Sequence, residues 1–192
     1  MSQFLKSYWH DSVEIAKMRE WVNTLNSDEL LAASINCFDL LKFVDECKQT
    51  KELQLAAVQN QESAIKYIKN PSEAVQLAAV QTYESAIQYI ENPSEAVQLT
   101  AVQTYGYAIS YIKNPSEDVQ LTAVQTYKSA IQYIKNPSEA VQLAAVQQDP
   151  LAIKYIEKPS DAVQLVAVQK NPLTIKYINN LSETIKNALA NL

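Results

Sequence analysis

Glycine is nearly missing from this chain of 192 residues, which contains one glycine, Gly106, and one histidine, His10. Glycine ordinarily makes up about 7% of a protein. A glycine-rich phosphate loop, a dinucleotide fingerprint and the nucleophile elbow of the α/β-hydrolases each need at least two glycines, so all of them are excluded. The same shortage predicts that turns with a positive φ are almost absent.

The shortage of histidine and cysteine bears on catalysis and metal binding. Every Ser/His/Asp or Cys/His catalytic set would depend on His10 alone. A metal site would need carboxylates together with Cys37 and Cys47, which are expected in one helix, about 15 Å apart along its axis. That separation is too long for a disulfide, and both thiols are predicted to be reduced and buried in a cytosolic protein. We therefore predict no enzyme, no cofactor and no metal.

Long apolar runs and concentrations of basic charge are also missing. No run approaches the ~20 apolar residues of a membrane span, and residues 1–6, MSQFLK, lack the apolar stretch of a signal peptide. The net charge is −5, without the basic stripe that direct nucleic-acid binding needs. These absences predict a soluble, cytoplasmic protein with no membrane partner and no direct contact with nucleic acid.

A 22-residue repeat fills most of the chain. Four copies that open with Pro-Ser-Glu begin at Pro71, Pro93, Pro115 and Pro137, and a fifth begins at Pro159. A degenerate copy starts at Gln49, and Leu181 begins a truncated last one. A fixed period of this length is typical of a stacked array, and such arrays present extended binding surfaces more often than catalytic pockets.

Each copy, numbered 1 to 22 from its proline, predicts two short helices. Asn at position 22 is expected as the N-cap, with Pro at N1 and an acid at N3, and the first helix runs to about position 11. Asp149-Pro150 and Asn171-Pro172 predict that a second helix of about seven residues begins at positions 13 and 14. Neither helix would be stable alone. We therefore predict an all-α fold, an α-solenoid of about six helical hairpins.

The predicted domains are an N-terminal helical cap over 1–48, the solenoid over 49–180 and a C-terminal capping helix over 181–192. Residues 1–48 do not repeat. Two variants of the capping box, Asp11 with Glu14 and Asn26 with Glu29, predict helices from Ile15 to Leu25 and from Leu30 to about Cys47. The terminal copies of a repeat array need such capping helices to shield their apolar faces from solvent.

Tyrosine and glutamine recur in columns, and both a structural and a functional interpretation are open. Tyrosine rings could pack between layers while the glutamines satisfy helix ends, or rows of Tyr and Gln could form a contact surface of the kind found in paratopes. The aromatic residues of the cap could pack on the first copy or dock a partner. The candidate partner-binding residues are Tyr83, Tyr105 and Tyr127 at position 13, Tyr89, Tyr111 and Tyr133 at position 19, and Trp9 and Trp21 of the cap.

The motif Val-Gln-Leu-Ala-Ala-Val-Gln, followed by Ala-Ile-Gln-Tyr-Ile-Lys-Asn-Pro, resembles a family of short helical repeats of uncharacterised function. That family occurs in bacteriophage, giant-virus and some bacterial proteins, and the similarity covers about residues 49–180. The segments 147–156 and 169–178 are most similar to it. The resemblance brings no catalytic or binding residues. It implies a binder of another protein, by analogy alone an inhibitor of a bacterial defence complex, working in the host cytoplasm if a phage encodes it.

Two other functions remain open from the sequence. The chain could be a structural or assembly protein that self-associates through its ends, for example as a homodimer. It could also be a sponge for a small ligand or nucleotide that uses the Tyr and Gln columns.

Overall fold

The computed structural model describes residues 12–36, 40–179, 181–183 and 185–186. Within these ranges every regular element is helical and there is no strand, which confirms the all-α fold class. The chain groups into two compact units, Met1–Val97 and Gln98–Leu192, whose boundary falls inside a helix. In each unit, helices of successive copies pack side by side as helical repeats. The predicted boundaries at 48 and 180 stay predictions.

The α-helices of the repeats span positions 3 to 12, and a 3₁₀ helix follows each. The α-helices are α1 (Ser12–Thr24), α2 (Ser27–Asn36), α3 (Lys51–Asn60), α4 (Glu73–Thr82), α5 (Glu95–Thr104), α6 (Glu117–Thr126), α7 (Glu139–Gln148) and α8 (Asp161–Lys170). The 3₁₀ helices are Leu40–Lys42, Glu46–Lys48, Ala64–Tyr67, Ala86–Tyr89, Gly106–Tyr111, Ala130–Tyr133, Pro150–Tyr155 and Pro172–Tyr177.

The predicted break at position 13 is confirmed. Asp149 is extended, and its Oδ1 accepts from the N–H of Leu151 at 2.9 Å; Asn171 caps Leu173 in the same way at 3.1 Å. The predicted second helix is present in each of these copies, but it is a 3₁₀ helix of four to six residues, shorter than the seven expected. A segment this short forms i to i+3 hydrogen bonds, such as the one from the Ile90 N–H to the Ile87 carbonyl, instead of complete α-helical turns.

The helix starts differ from the prediction. Asn70, Asn114 and Asn136 adopt φ values of 54°, 52° and 51°, so they turn the chain in the left-handed region instead of capping a helix. The N-cap is the serine at position 2, and the Oγ of Ser138 accepts from the N–H of Val141 at 3.3 Å. The expected near absence of positive φ is therefore wrong, because asparagine takes over the role of glycine.

The acid at position 3 bonds to the next copy. Ser94 Oγ donates to Glu73 Oε1 at 2.5 Å, and the same bond joins Ser138 to Glu117 and Ser160 to Glu139. An acid at N3 can reach back to its own N-cap, but at these positions it accepts from the serine of the next copy instead. The repeated Ser-Glu pair thus fixes the helix starts of neighbouring copies against each other.

The glutamines of position 6 hold the turn before each helix. The side-chain amide of Gln120 donates to the carbonyl of Pro115 at 2.9 Å, and Gln142 and Gln164 make the equivalent bonds. The glutamines of position 11 are instead exposed: Gln59, Gln81, Gln103, Gln125, Gln147 and Gln169. The structural interpretation of the glutamines therefore holds for position 6 only.

The core is built from positions 5, 9 and 10 of the α-helix and 16, 17 and 20 of the 3₁₀ segment. In α6, Val119 and Ala123 are fully buried, and Val124 is 1% exposed. In the second unit α6 packs on α7 and α7 on α8, while in the first α2 packs on α3 and α3 on α4. Position 4 is exposed, for example at Ala140, so the first helix is less buried than its composition predicts.

The segment before the repeats matches its prediction in part. The capping box is confirmed: the N–H of Asn26 donates to Glu29 Oε2 at 2.9 Å, and the N–H of Glu29 donates to Asn26 Oδ1 at 3.0 Å. The helix α2 ends at Asn36, so the predicted helix to Cys47 is wrong. The chain instead folds back on α1, where Asn23 Nδ2 donates to Phe43 O at 3.1 Å.

The predictions on the cysteines and the first capping box have separate outcomes. Cys47 is exposed, contrary to its predicted burial, because it lies in the 3₁₀ turn Glu46–Lys48 and not in a packed helix. Cys37 and Asp11 lie outside the described residues, and so does most of the predicted C-terminal helix. Ile185, in the part of that segment that is described, is fully buried.

Replacing Ala123 by leucine tests the close packing of successive helices. Ala123 is fully buried in α6, so three extra carbons have no space, and we expect a loss of about 1–3 kcal/mol in the free energy of unfolding. Urea denaturation of both variants measures it, with Ala140→Leu at an exposed position of α7 as the control. Equal stability of the two variants would contradict the packing described above.

Ser138→Ala tests the double role of the position-2 serine, which caps α7 and donates to Glu117. We expect a loss of about 1–2 kcal/mol. Ser72→Ala is the matched control, because the Ser72 side chain makes no capping hydrogen bond and position 3 of the preceding copy is Lys51. Thermal unfolding should lower the melting temperature of Ser138→Ala more than that of Ser72→Ala, and the reverse order would refute this account.

Candidate functional site

One copy of the repeat, residues 93–114, departs from the others at three positions on its 3₁₀ side. It has Gly106 at position 14, Tyr107 at position 15 and Ser110 at position 18. Position 15 is Ser or Leu in the other full copies, and position 18 is Lys or Gln. Among copies that otherwise differ little, these three changes fall within five residues.

Tyr107 lies at the centre of an aromatic group, the tyrosine cluster, made of Tyr107, Tyr111, Tyr127 and Tyr133. Its ring centroid is 5.8 Å from that of Tyr111, 6.2 Å from that of Tyr127 and 5.3 Å from that of Tyr133. All three pairs are edge to face, with interplanar angles of 78° to 87°. This geometry is the favourable one for aromatic rings and adds to the gain from burying their surface.

Gly106 makes room for the cluster. A Cβ at this residue would lie 2.4 Å from Tyr127 Cβ and 3.0 Å from the Tyr127 main-chain nitrogen, although the φ of Gly106 is not positive. The 3₁₀ helix also begins here at position 14, whereas its counterpart Ala86–Tyr89 begins at position 16. Glycine is therefore required by the close approach of the two copies, not by backbone conformation.

The cluster presents aromatic surface to solvent. Tyr107, Tyr111 and Tyr127 are half-buried, and Tyr133 is 38% exposed. Packing against neighbouring side chains raises the pKa of the Tyr133 hydroxyl, and the nearby Tyr107 and Tyr127 hydroxyls raise it further. A hydrogen bond with Tyr107 raises the pKa of Tyr133 as well, so at neutral pH the Tyr133 hydroxyl stays protonated and engaged within the cluster.

The structure brings three of the sequence-predicted residues together and leaves the others elsewhere. Tyr111, Tyr127 and Tyr133 belong to the tyrosine cluster. Tyr105 is half-buried in the same compact unit; Tyr83 and Tyr89 belong to the other unit, where Tyr83 is half-buried and Tyr89 is 42% exposed. Trp21 is 41% exposed on α1, and Trp9 lies outside the described residues.

Sequence reasoning missed Tyr107, the central residue of the cluster. The candidate residues belong to tyrosine columns that recur from copy to copy, and Tyr107 belongs to none of these columns. The signal that could have found it was the opposite one, a cluster of departures from an otherwise regular pattern.

Lysines cover several of the other position-19 tyrosines. Lys154 Nζ lies 4.6 Å from the ring centroid of Tyr155, and Lys176 Nζ lies 4.9 Å from that of Tyr177. A hydrogen bond to Tyr155, and the negative charge that Tyr155 carries when it is ionised, raise the pKa of Lys154. The cation over the ring is a favourable contact, so these rings have one face occupied.

A cleft of about 410 Å³ lies beside this row and is lined by residues that include Lys154, Lys158 and Gln164. The Gln164 Oε1 atom has no hydrogen-bond partner, but it is shielded from solvent and cannot reach a molecule in the cleft. The equivalent oxygen of Gln142 is in the same state. This feature therefore belongs to the packing of the repeat and does not mark a ligand site.

The described residues offer neither a metal-binding group nor a membrane-spanning helix. No three His, Cys, Asp or Glu side chains of the described ranges lie together as metal ligands would. None of the helices described above is both long enough and apolar enough to cross a bilayer. Comparison of the chain with protein-family models, with curated proteins and with solved structures gives no match.

Gly106→Ala tests the close approach that forms the cluster. The new methyl group would meet Tyr127 at 2.4 Å, so we expect a loss of about 1–3 kcal/mol through overpacking. Glu84→Ala, at the same repeat position and exposed, is the control and should change stability by less than ~0.5 kcal/mol. Denaturant unfolding of both variants gives the comparison. A neutral or stabilising Gly106→Ala would show that the cluster does not depend on this glycine.

Proposed function

We propose that this chain is a non-enzymatic protein-binding module whose tyrosine cluster anchors the partner. The single observation that carries the proposal is the local departure of copy 93–114 from the repeat, which places Tyr107 among Tyr111, Tyr127 and Tyr133. The other core positions of this copy follow the common pattern, and copies without the cluster keep the same helices, so the array does not require the change.

The properties of the cluster suit protein recognition. Tyrosine offers a large contact area with few rotatable bonds, so little side-chain entropy is lost when a partner binds. The edge-to-face packing of Tyr107 restricts the rings before binding, which lowers that cost further. Tyrosine is also among the residues that most often contribute the largest share of binding energy in interfaces.

The resemblance to phage repeat proteins suggests which partner to test first. We propose a bacterial defence complex, which the chain would inhibit by occupying a surface that the complex needs, in the host cytoplasm. This choice rests on analogy with the repeat family and not on the cluster itself. The cluster supports a protein partner of any origin.

Two alternative functions are decided by simple measurements. Self-association as a homodimer or longer assembly would appear as a higher mass in size-exclusion chromatography with light scattering. A nucleotide or small-ligand sponge would show a rise in melting temperature with the ligand, since a ligand that binds only the folded state stabilises it.

Tyr107→Ser tests the proposed function. Serine occupies position 15 in three other copies, at Ser63, Ser85 and Ser129, so the fold should be retained. The immobilised wild type is incubated with bacterial lysate, and any captured protein is then produced and its affinity measured by interferometry. We expect the variant to bind about 30-fold more weakly, as for the loss of about 2 kcal/mol at an interface anchor.

Leu173→Ser is the control for this experiment. It removes a side chain that is 70% exposed at the same repeat position, away from the cluster. The control should bind like the wild type and melt at the same temperature. If Tyr107→Ser captured its partner as tightly as Leu173→Ser does, the cluster would not be the anchor.

A further inference from the structure

The charge at repeat positions 14 and 21 changes sign along the array. In copy 71–92 these positions are Glu84 and Glu91, next to Tyr83 and Tyr89. Around the tyrosine cluster the corresponding residues are lysines, Lys113 and Lys135 at position 21 and Lys128 at position 14, and all three are exposed. Every charged side chain at these two positions in the described residues is exposed, so burial does not dictate which charge it carries. The buried Gly106 is the exception at position 14.

Each of the three lysines lies beside a member of the tyrosine cluster. Lys128 follows Tyr127 directly, while Lys113 and Lys135 come two residues after Tyr111 and Tyr133. Residues so close in sequence have Cα atoms at most about 7 Å apart. The three lysines therefore arise from the same chain segments as the rings of the cluster, and all three are exposed.

The three lysines form no ion pair with the part of the chain that the structure describes. Among the described residues, ion pairs join Lys69 to Glu46 and Lys186 to Glu183, and none involves the three lysines of the cluster. The carboxylates of Glu117 and Glu139, on the neighbouring helix starts, accept hydrogen bonds from Ser138 and Ser160 instead. The positive charge around the cluster is thus available to a bound molecule.

Building on the function proposed above, we propose that the partner segment bound at the tyrosine cluster is an acidic polypeptide. Its Asp and Glu side chains pair with Lys113, Lys128 and Lys135, while an apolar or aromatic side chain packs on Tyr107 and Tyr133. Complementary charges of this kind determine partner choice and speed association more than they raise affinity. The apolar contact supplies most of the binding energy.

A polypeptide fits these observations better than a nucleic acid does. Single strands bind by stacking their bases on exposed aromatic faces, but edge-to-face packing at 5.3 to 6.2 Å engages the ring faces of the cluster. Further along the row, Lys154 and Lys176 cover the rings of Tyr155 and Tyr177. The chain also has one arginine, Arg19, and a net charge of −5, which disfavours a long polyanion.

Selection from a library of random 16-residue peptides displayed on phage tests this proposal with the full chain. Peptides retained by the wild type should contain Asp and Glu about three times as often as the unselected library, because two or three carboxylates are needed to meet the lysines. Retained peptides without acidic enrichment would overturn the proposal. So would tighter binding of a 15-residue oligothymidine than of the best peptide, measured by fluorescence anisotropy.

The double variant Lys128→Glu/Lys135→Glu gives the decisive comparison, because it installs the acids that the repeat already carries at Glu84 and Glu91. We expect it to bind the best selected peptide at least about tenfold more weakly, with little residual dependence on salt. The control Lys17→Glu/Lys51→Glu has the same net charge, with both changes at exposed positions of the other compact unit. It should bind like the wild type.

Tyr107→Ser separates this proposal from the proposed function. If Tyr107→Ser abolishes binding of the selected peptide while Lys128→Glu/Lys135→Glu retains it, the acidic character of the partner is wrong and protein binding by the cluster stands. If Tyr107→Ser binds as the wild type does, both fail. Loss of binding in both variants, with melting temperatures that leave both fully folded in the assay and an unaffected charge control, supports both.

Discussion

Burial of one small residue between neighbouring helices is the constraint on which the rest of this structure depends. The alanine at position 9 is at most 2% exposed in every copy described, and the valine that follows it is equally buried. A ten-residue helix with such a surface is unstable in water by itself, so each copy within a compact unit needs its neighbour to cover it. The Ser-Glu bonds between helix starts, such as Ser138 to Glu117, set the register in which that covering occurs.

This dependence explains how a binding site can arise from very few changes. Since the scaffold sets the backbone of each copy, a side chain at a given position projects from the same place each time. Tyr127 and Tyr133, at positions 13 and 19, therefore lie beside the 3₁₀ segment of the preceding copy. Adding Tyr107 at position 15, with Gly106 removing the obstructing Cβ, is enough to join Tyr111, Tyr127 and Tyr133 through one central ring.

The fold could be predicted further than the site, and the reason is physical. Helix breaks and the buried face follow from local rules. Asp149-Pro150 correctly predicts the break between the two helices of its copy, and the Asn26–Glu29 capping box correctly predicts a helix start. The left-handed Asn136 was missed because asparagine serves both as a cap and as a substitute for glycine. The cluster depends on contacts between copies, about 20 residues apart in sequence, whose register the sequence alone does not give. In the sequence, the cluster is indicated by the departure of Gly106 and Tyr107 from the repeat pattern.

The positions that vary between copies are separate from those that hold the array together. Positions 5, 9, 10, 16, 17 and 20 form the core, whereas positions 15 and 21, and position 14 except at the buried Gly106, carry the residues that distinguish one copy's surface from the next. A change from Glu to Lys at an exposed position costs little stability, so the surface charge can differ between copies without disturbing the packing. For example, copy 115–136 has Lys128 and Lys135 at the two positions where copy 71–92 has Glu84 and Glu91. An array of nearly identical copies can therefore carry a specific site, because specificity requires differences only at positions that the core does not use.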